Sequence, residues 1–233
     1  MNNLTEKRTK KEIFRRYALF VFSLFVAALG VAITKRGSLG VSPISSVANV
    51  LSIRFTALTL GSWLILWNCA LIAGQIVLLR KNFQWIQLLQ IPLSFLFGWF
   101  TDLGMALTAK IPVPNYAAQI GLAVLGTIVL GFGISLSVIA DVIMNSGEAF
   151  VKALSQTLRM DFGNVKIGFD VSCVLLALVL SLLFMHGAIV GAREGTVIAA
   201  LCTGLAVKFF RKRTQKPLQK WLTRSVTPLH TAP

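Results

Sequence analysis

Apolar residues come in long runs, at about 14–34, 57–79, 85–108, 117–140, 165–185 and 189–210. Each is close to the roughly 20 residues a helix needs to cross the hydrocarbon layer, so the pattern predicts six transmembrane helices with both chain ends on one side. The first run, from Tyr17 to Ile33, follows Lys7, Arg8, Lys10, Lys11, Arg15 and Arg16 as a signal peptide would. It exceeds a signal's apolar core of roughly 7 to 15 residues and further spans follow it, so it is expected to stay as the first span.

Two segments between spans are shorter. Residues 37–46 are rich in glycine and serine, and the run at 47–54 follows Ser42, placed as a helix N-cap, and Pro43, placed at the first helical position. The second segment lies in 141–170, which holds Asp141, Glu148, Asp161 and Asp170 out of eight acidic residues. There Asn145 and Glu148 have capping-box spacing, and Phe150, Val151, Leu154 and Leu158 form a stripe opposite Lys152, Gln156 and Arg159. Both segments predict helices of about 10 to 15 residues, re-entrant or interfacial.

The two segments also align with each other. Leu51-Ser52 matches Leu154-Ser155, and Gly61 with Asn68 matches Gly163 with Asp170 after one residue of slack. Each half then reads span, short helix, span, span, and three crossings per half make the repeat inverted, a recurring plan of secondary transporters. The predicted fold is all-α, a polytopic membrane helical bundle of six spans and two short helices. Residues 1–13 form a basic N-terminus, 14–210 a single transmembrane domain with repeats at about 14–108 and 117–210, and 211–233 a basic tail.

Composition agrees: 55% of residues are hydrophobic and 13% charged, far from a soluble domain. The net charge of +15 does not predict nucleic-acid binding, because the basic residues cluster at the ends of apolar runs, where they meet anionic lipid head groups. With the N-terminus cytoplasmic, all of the 23 basic residues except Lys35, Arg36, Arg54, Lys110 and Arg193 fall inside, which predicts both termini in the cytoplasm. Cys69, Cys173 and Cys202 sit in apolar runs without metal-ligand spacing, and His186 and His230 stand apart, so no metal and no cofactor are called for. Self-association stays open.

Several polar residues in apolar surroundings are candidates for binding a substrate or ion. Lys166 and Asp170 can meet at i,i+4, either as an interface ion pair or as part of a cation or proton site, and Asn68 takes the place of Asp170 in the other half. Glu148 either completes the cap at Asn145 or marks the positive end of a short helix; a built-in carboxylate there disfavours an anionic substrate. Asp141 adjoins that helix, with Asp102 a lesser counterpart on the third span. Arg193 and Glu194, before Gly195 and Thr196, are neighbours on a predicted helix and point about 100° apart, so they are expected to take separate partners. Ser42, Ser45 and Asn49 are expected to line the facing half. Trp63, Trp67, Trp85, Trp99 and Trp221 fit an aromatic belt as well as a pocket, and Gly121, Gly126, Gly131 and Gly133 suggest close helix packing.

Gly40-Val41-Ser42-Pro43, Gly147-Glu148-Ala149-Phe150, Lys166 with Asp170, and Gly191 through Arg193-Glu194-Gly195-Thr196 followed by Gly204 resemble the bacterial YczE/YyaS/YitT type of membrane protein over roughly residues 14 to 210. The resemblance implies a multi-pass helical protein of the bacterial cytoplasmic membrane and no particular substrate. The expected function is a small secondary transporter or exporter of an unidentified solute, cation- or proton-coupled. The alternative is a non-transporting accessory or scaffold protein acting on a partner through its basic tail. An enzyme is not expected: H-E-x-x-H and G-x-S-x-G are absent, leaving Asp141 and Asp170 as the only carboxylate pair for acid–base chemistry.

Overall fold

The structure, a computed structural model, describes residues 9–224, so Lys7, Arg8 and the end of the tail, including His230, lie outside the described residues. Eight helices follow one another: α1 (Lys10–Arg36), α2 (Pro43–Arg54), α3 (Leu60–Leu79), α4 (Gln90–Thr108), α5 (Tyr116–Ala140), α6 (Ser146–Leu158), α7 (Phe162–Phe184) and α8 (Glu194–Thr223). Two 3-10 turns join α3 to α4. Among the described residues, five helices are long and apolar enough to cross a membrane: Lys10–Arg36, Leu60–Asn82, Trp85–Thr108, Tyr116–Ala140 and Phe162–Phe184. The protein is therefore a multi-pass helical membrane protein. α8 is not among the five: Glu194, Lys208 and Arg211 bound or interrupt its apolar run.

The axis of the bundle is the contact of α1 with α5. A Cβ at Gly30 would stand 2.4 Å from the Leu130 nitrogen, one at Gly126 2.6 Å from the Thr34 nitrogen, and one at Gly133 2.5 Å from the Ala27 nitrogen. The two backbones touch, which only small residues allow, and packing of this kind replaces the hydrophobic drive that lipid cannot supply. The hydroxyls buried along the axis are satisfied inside their own helices, as where Thr127 Oγ1 donates to the Ala123 carbonyl at 2.7 Å and Thr34 Oγ1 to that of Val31 at 2.8 Å. α4 flanks α1, and α8 flanks α5.

One end of the bundle, called the basic end below, holds the starts of α1, α4 and α7 and the ends of α3, α5 and α8. Arg16 binds Glu12 at 2.8 Å and donates to the Ala140 carbonyl at 3.0 Å, fastening α1 to the end of α5. The described part of the basic tail, as far as Arg224, follows on from the bundle. α8 continues to Thr223, and Leu222 is buried among Phe20, Leu24 and Ile139. Leu218 and Leu222 lie one turn apart and give the basic segment an apolar edge, while Arg15 donates to the Trp221 carbonyl at 3.1 Å. At the far end, both Nε and Nη2 of Arg36 donate to the Ile111 carbonyl, at 2.9 and 2.7 Å.

Candidate functional site

Both short helices lie within the bundle. α2 packs on α7 and α3, and α6 packs on α3 and α7. The stripe anticipated on α6 supplies the reason as far as Leu154, with Leu158 exposed: Val151 is fully buried in a cluster with Leu71, Val165 and Phe169, and the Phe150 ring lies 5.3 Å from that of Phe169. On α2, Val47 and Val50 are buried with Ala177 and Ala192. Pro43 occupies the first turn of α2 as expected. The heads of the two helices meet, since a Cβ on Gly147 would come within 2.9 Å of Ile44.

The meeting point is one wall of a cavity of about 890 Å³, a size typical of ligand pockets. The head of α2 contributes Ser42 and Ser45, whose hydroxyls are 3.0 Å apart, and the head of α6 contributes Asn145 and Glu148. α7 contributes Lys166 and Asp170, which form an ion pair, and α3 contributes Trp67 and Asn68. Asp141 lines the cavity from the end of α5, where its φ of 50° places it in the left-handed region. Of the candidates named from sequence, Asp170, Glu148, Asp141, Asn145, Lys166, Ser42, Ser45 and Asn68 thus share one space.

Several expectations about these residues fail. The capping box does not close: the Asn145 side chain makes no capping bond, and no hydrogen bond joins it to Glu148. Glu148 faces the cavity within electrostatic reach of Lys166 and Asp170. Ser42 makes no side-chain capping bond either, because its hydroxyl donates to Ser45. Asn49 does not line the cavity. Its amide donates to the Gly191 carbonyl at 2.6 Å and accepts from Lys35, so it ties α1 and α2 to the connection before α8.

Arg193, Glu194 and Thr196 lie at the far end, away from the cavity. Arg193 and Glu194 pair with each other, Nε to Oε2 at 3.2 Å, rather than with separate partners. The reason is that Arg193 is the N-cap of α8 in extended backbone, so the angular argument for two helical neighbours does not apply. Thr196 is buried against Gly40, whose φ of +110° and contact with Thr196 leave no room for a side chain. The Gly195 nitrogen donates to the Leu39 carbonyl at 2.9 Å, and Gly40 bridges to Ala192. These contacts join the α1–α2 connection to the start of α8 at the far end, and none of these residues lines the cavity. The cavity instead extends to Asp141, Lys152 and Phe162 at the basic end.

Sequence reasoning missed part of the lining. Leu130, Ile134 and Ser137 on α5 line the cavity, as do Ala199, Thr203 and Val207 on α8. Both sets recur at helical spacing with a hydroxyl among apolar residues, which is a legible signal. Trp67 does not belong to a belt: it packs against three core clusters, and its indole nitrogen is buried without a hydrogen-bond partner. Trp85 and Trp99, in contrast, are 79% and 62% exposed.

No curated protein matches the chain, and no solved structure does. The match over residues 14–212, which takes in every helix that lines the cavity, is to a family of unknown function, and the chain belongs to that family, DUF6198.

Proposed function

We propose that the protein is a small secondary transporter or exporter of an unidentified solute, cation- or proton-coupled, which works by alternating access between two inverted halves of three spans. α8 is the sixth span in this reading. The observation that carries it is that the heads of two short helices meet at one cavity that extends to the basic end of the bundle, while the residues joined at the far end do not line it. Partial helices that meet inside an inverted repeat are how such carriers build a site.

The packing of the helices supports the repeat. α2 packs on α7 as α6 packs on α3, and α1 packs on α4 as α5 packs on α8. The N-caps of the short helices, Ser42 and Asn145, share a φ of −57°, with ψ of 152° and 147°. Asn68 and Asp170, aligned by sequence, both line the cavity.

The positive charge of the basic end supports a cytoplasmic N- and C-terminus, so the cavity is open to the cytoplasm. The resemblance to the YczE/YyaS/YitT type supports a bacterial cytoplasmic membrane. Lipid head groups at the basic end, a small solute in the cavity, and no nucleic acid complete the reading, which is not that of an enzyme. The accessory alternative would act through the basic tail, where Arg211, Lys212, Arg213, Lys216 and Lys220 are exposed on α8 while Leu222 packs against the bundle.

The test is thiol access in a cysteine-free background carrying Asn68→Cys. A membrane-impermeant maleimide should react from the cytoplasmic side readily and from the outside slowly. Reaction from the cytoplasmic side alone would contradict alternating access.

A further inference from the structure

Two features of the cavity bear on what enters it. The first is charge. Glu148, Lys166 and Asp170 stand within electrostatic reach of one another, and the one ammonium is taken by Asp170. Two carboxylates therefore share one built-in cation, and Glu148 accepts no hydrogen bond from a described residue. The other charged groups that line the cavity are Asp141 after α5 and Lys152 on α6, one of each sign; α2, α3 and α8 contribute none. With Glu148 ionised the interior lacks one positive charge, which either a proton or a cationic ligand can supply.

The second feature is a gap. α7 lines the cavity with Lys166, Ile167 and Asp170, and α8 lines it with Ala199, Thr203 and Gly204, yet α7 and α8 make no substantial contact with each other. A Cβ on Gly168 or on Gly204 would meet no atom within 4 Å. Ile167 borders the cavity and is also 66% exposed, with Leu201 and Leu205 exposed along α8. The wall between these two helices opens sideways, toward lipid, and the rest of the lining is largely apolar.

We propose that the cavity takes an amphiphilic organic cation of single charge, which enters from the bilayer between α7 and α8 and pairs its cationic group with Glu148. This rests on the transporter reading and names its substrate class. An anionic lipid fits poorly, because the ammonium of Lys166 is already engaged by Asp170. A polar solute drawn from the cytoplasm would have no use for the gap.

The test uses the purified full-length chain in lipid nanodiscs and measures equilibrium binding of tetraphenylphosphonium, with tetraphenylborate as the anion of equal size. The cation should bind and the borate should not. Glu148→Gln should weaken phosphonium binding about tenfold or more, as expected for the loss of a charged partner. Lys166→Met, which frees a second carboxylate, should tighten it. Opposite signs in two variants keep the test decisive if one of them fails to fold. Gly204→Trp, which fills the gap, should slow phosphonium uptake from the bilayer.

Equal binding of the borate, unchanged affinity in Glu148→Gln or Lys166→Met, or unchanged uptake in Gly204→Trp would overturn the proposal. If the thiol of the Asn68→Cys chain reacts from both sides but phosphonium does not bind, this substrate class is lost and the transporter reading is kept. Binding without two-sided access has the reverse meaning.

Discussion

The α3–α4 and α7–α8 pairs hold the same places in the order of elements, yet α3 and α4 pack closely while α7 and α8 leave a gap. In the first pair a Cβ on Gly61 would stand 2.1 Å from the Gly98 carbonyl, so the backbones are in contact. Asp102 clamps that contact, accepting from Thr59 Oγ1 at 2.6 Å and from the Gly61 nitrogen at 2.9 Å. In the second pair Gly163 meets only its own cap, Asp161, and Ala206 stands as far along α8 as Asp102 along α4. Ala206 packs instead on Gly131 of α5. A glycine contact and a carboxylate clamp close one pair; where neither is present, the other pair stays apart and the cavity gains a side opening.

Overfilling the two pairs should separate them most strongly. Gly61→Leu should destabilise the folded protein by about 3 kcal/mol, because backbone stands where the side chain must go. Gly204→Leu should stay within about 0.5 kcal/mol of the parent. Unfolding followed in detergent checks both, and similar losses would mean that α7 and α8 pack as α3 and α4 do.

Asp102→Ala removes only the clamp and leaves the glycine contact. It should cost about 2 kcal/mol, since the Gly61 nitrogen and Thr59 lose a charged acceptor. A thermal melt in the same detergent measures it.

Asn49→Ala acts on the far-end contacts. The loss of its bonds to Lys35 and Gly191 should cost about 1 kcal/mol and raise outside labelling of Asn68→Cys. Unchanged labelling would mean that the bridge does not hold the far end closed.

The smallest perturbation is labelling of the native thiols. Cys202 is exposed on α8 and Cys173 is buried, so a lipid-soluble maleimide should label Cys202 in the folded chain and Cys173 only after unfolding. Equal reaction of the two would argue against the orientation of α7 and α8.

Much of the fold was legible because it rests on local signals. Apolar runs of spanning length became helices, and Pro43 and the stripe through Val151 located the short ones. The cavity was legible where charge interrupts apolar sequence, at Asp141, Glu148, Lys166 and Asp170. Partner choice was not legible. Asn49 is consumed by a carbonyl 142 residues away, and Glu148, at capping spacing, lines the cavity instead of closing the cap. The lack of substantial contact between α7 and α8 leaves no mark either, since residues that face lipid and residues that face a partner helix are equally apolar.

The most direct test of the two-helix cavity as an alternating site is a lock on the far end. A Cβ on Gly195 would lie 2.9 Å from that of Leu39, so Leu39→Cys with Gly195→Cys should form a disulfide with a small local shift. In a cysteine-free chain that also carries Asn68→Cys, forming this disulfide should abolish maleimide labelling of the cavity thiol from outside, leave labelling from the cytoplasm intact, and be reversed by reduction. Outside labelling that persists in the locked chain would contradict the account.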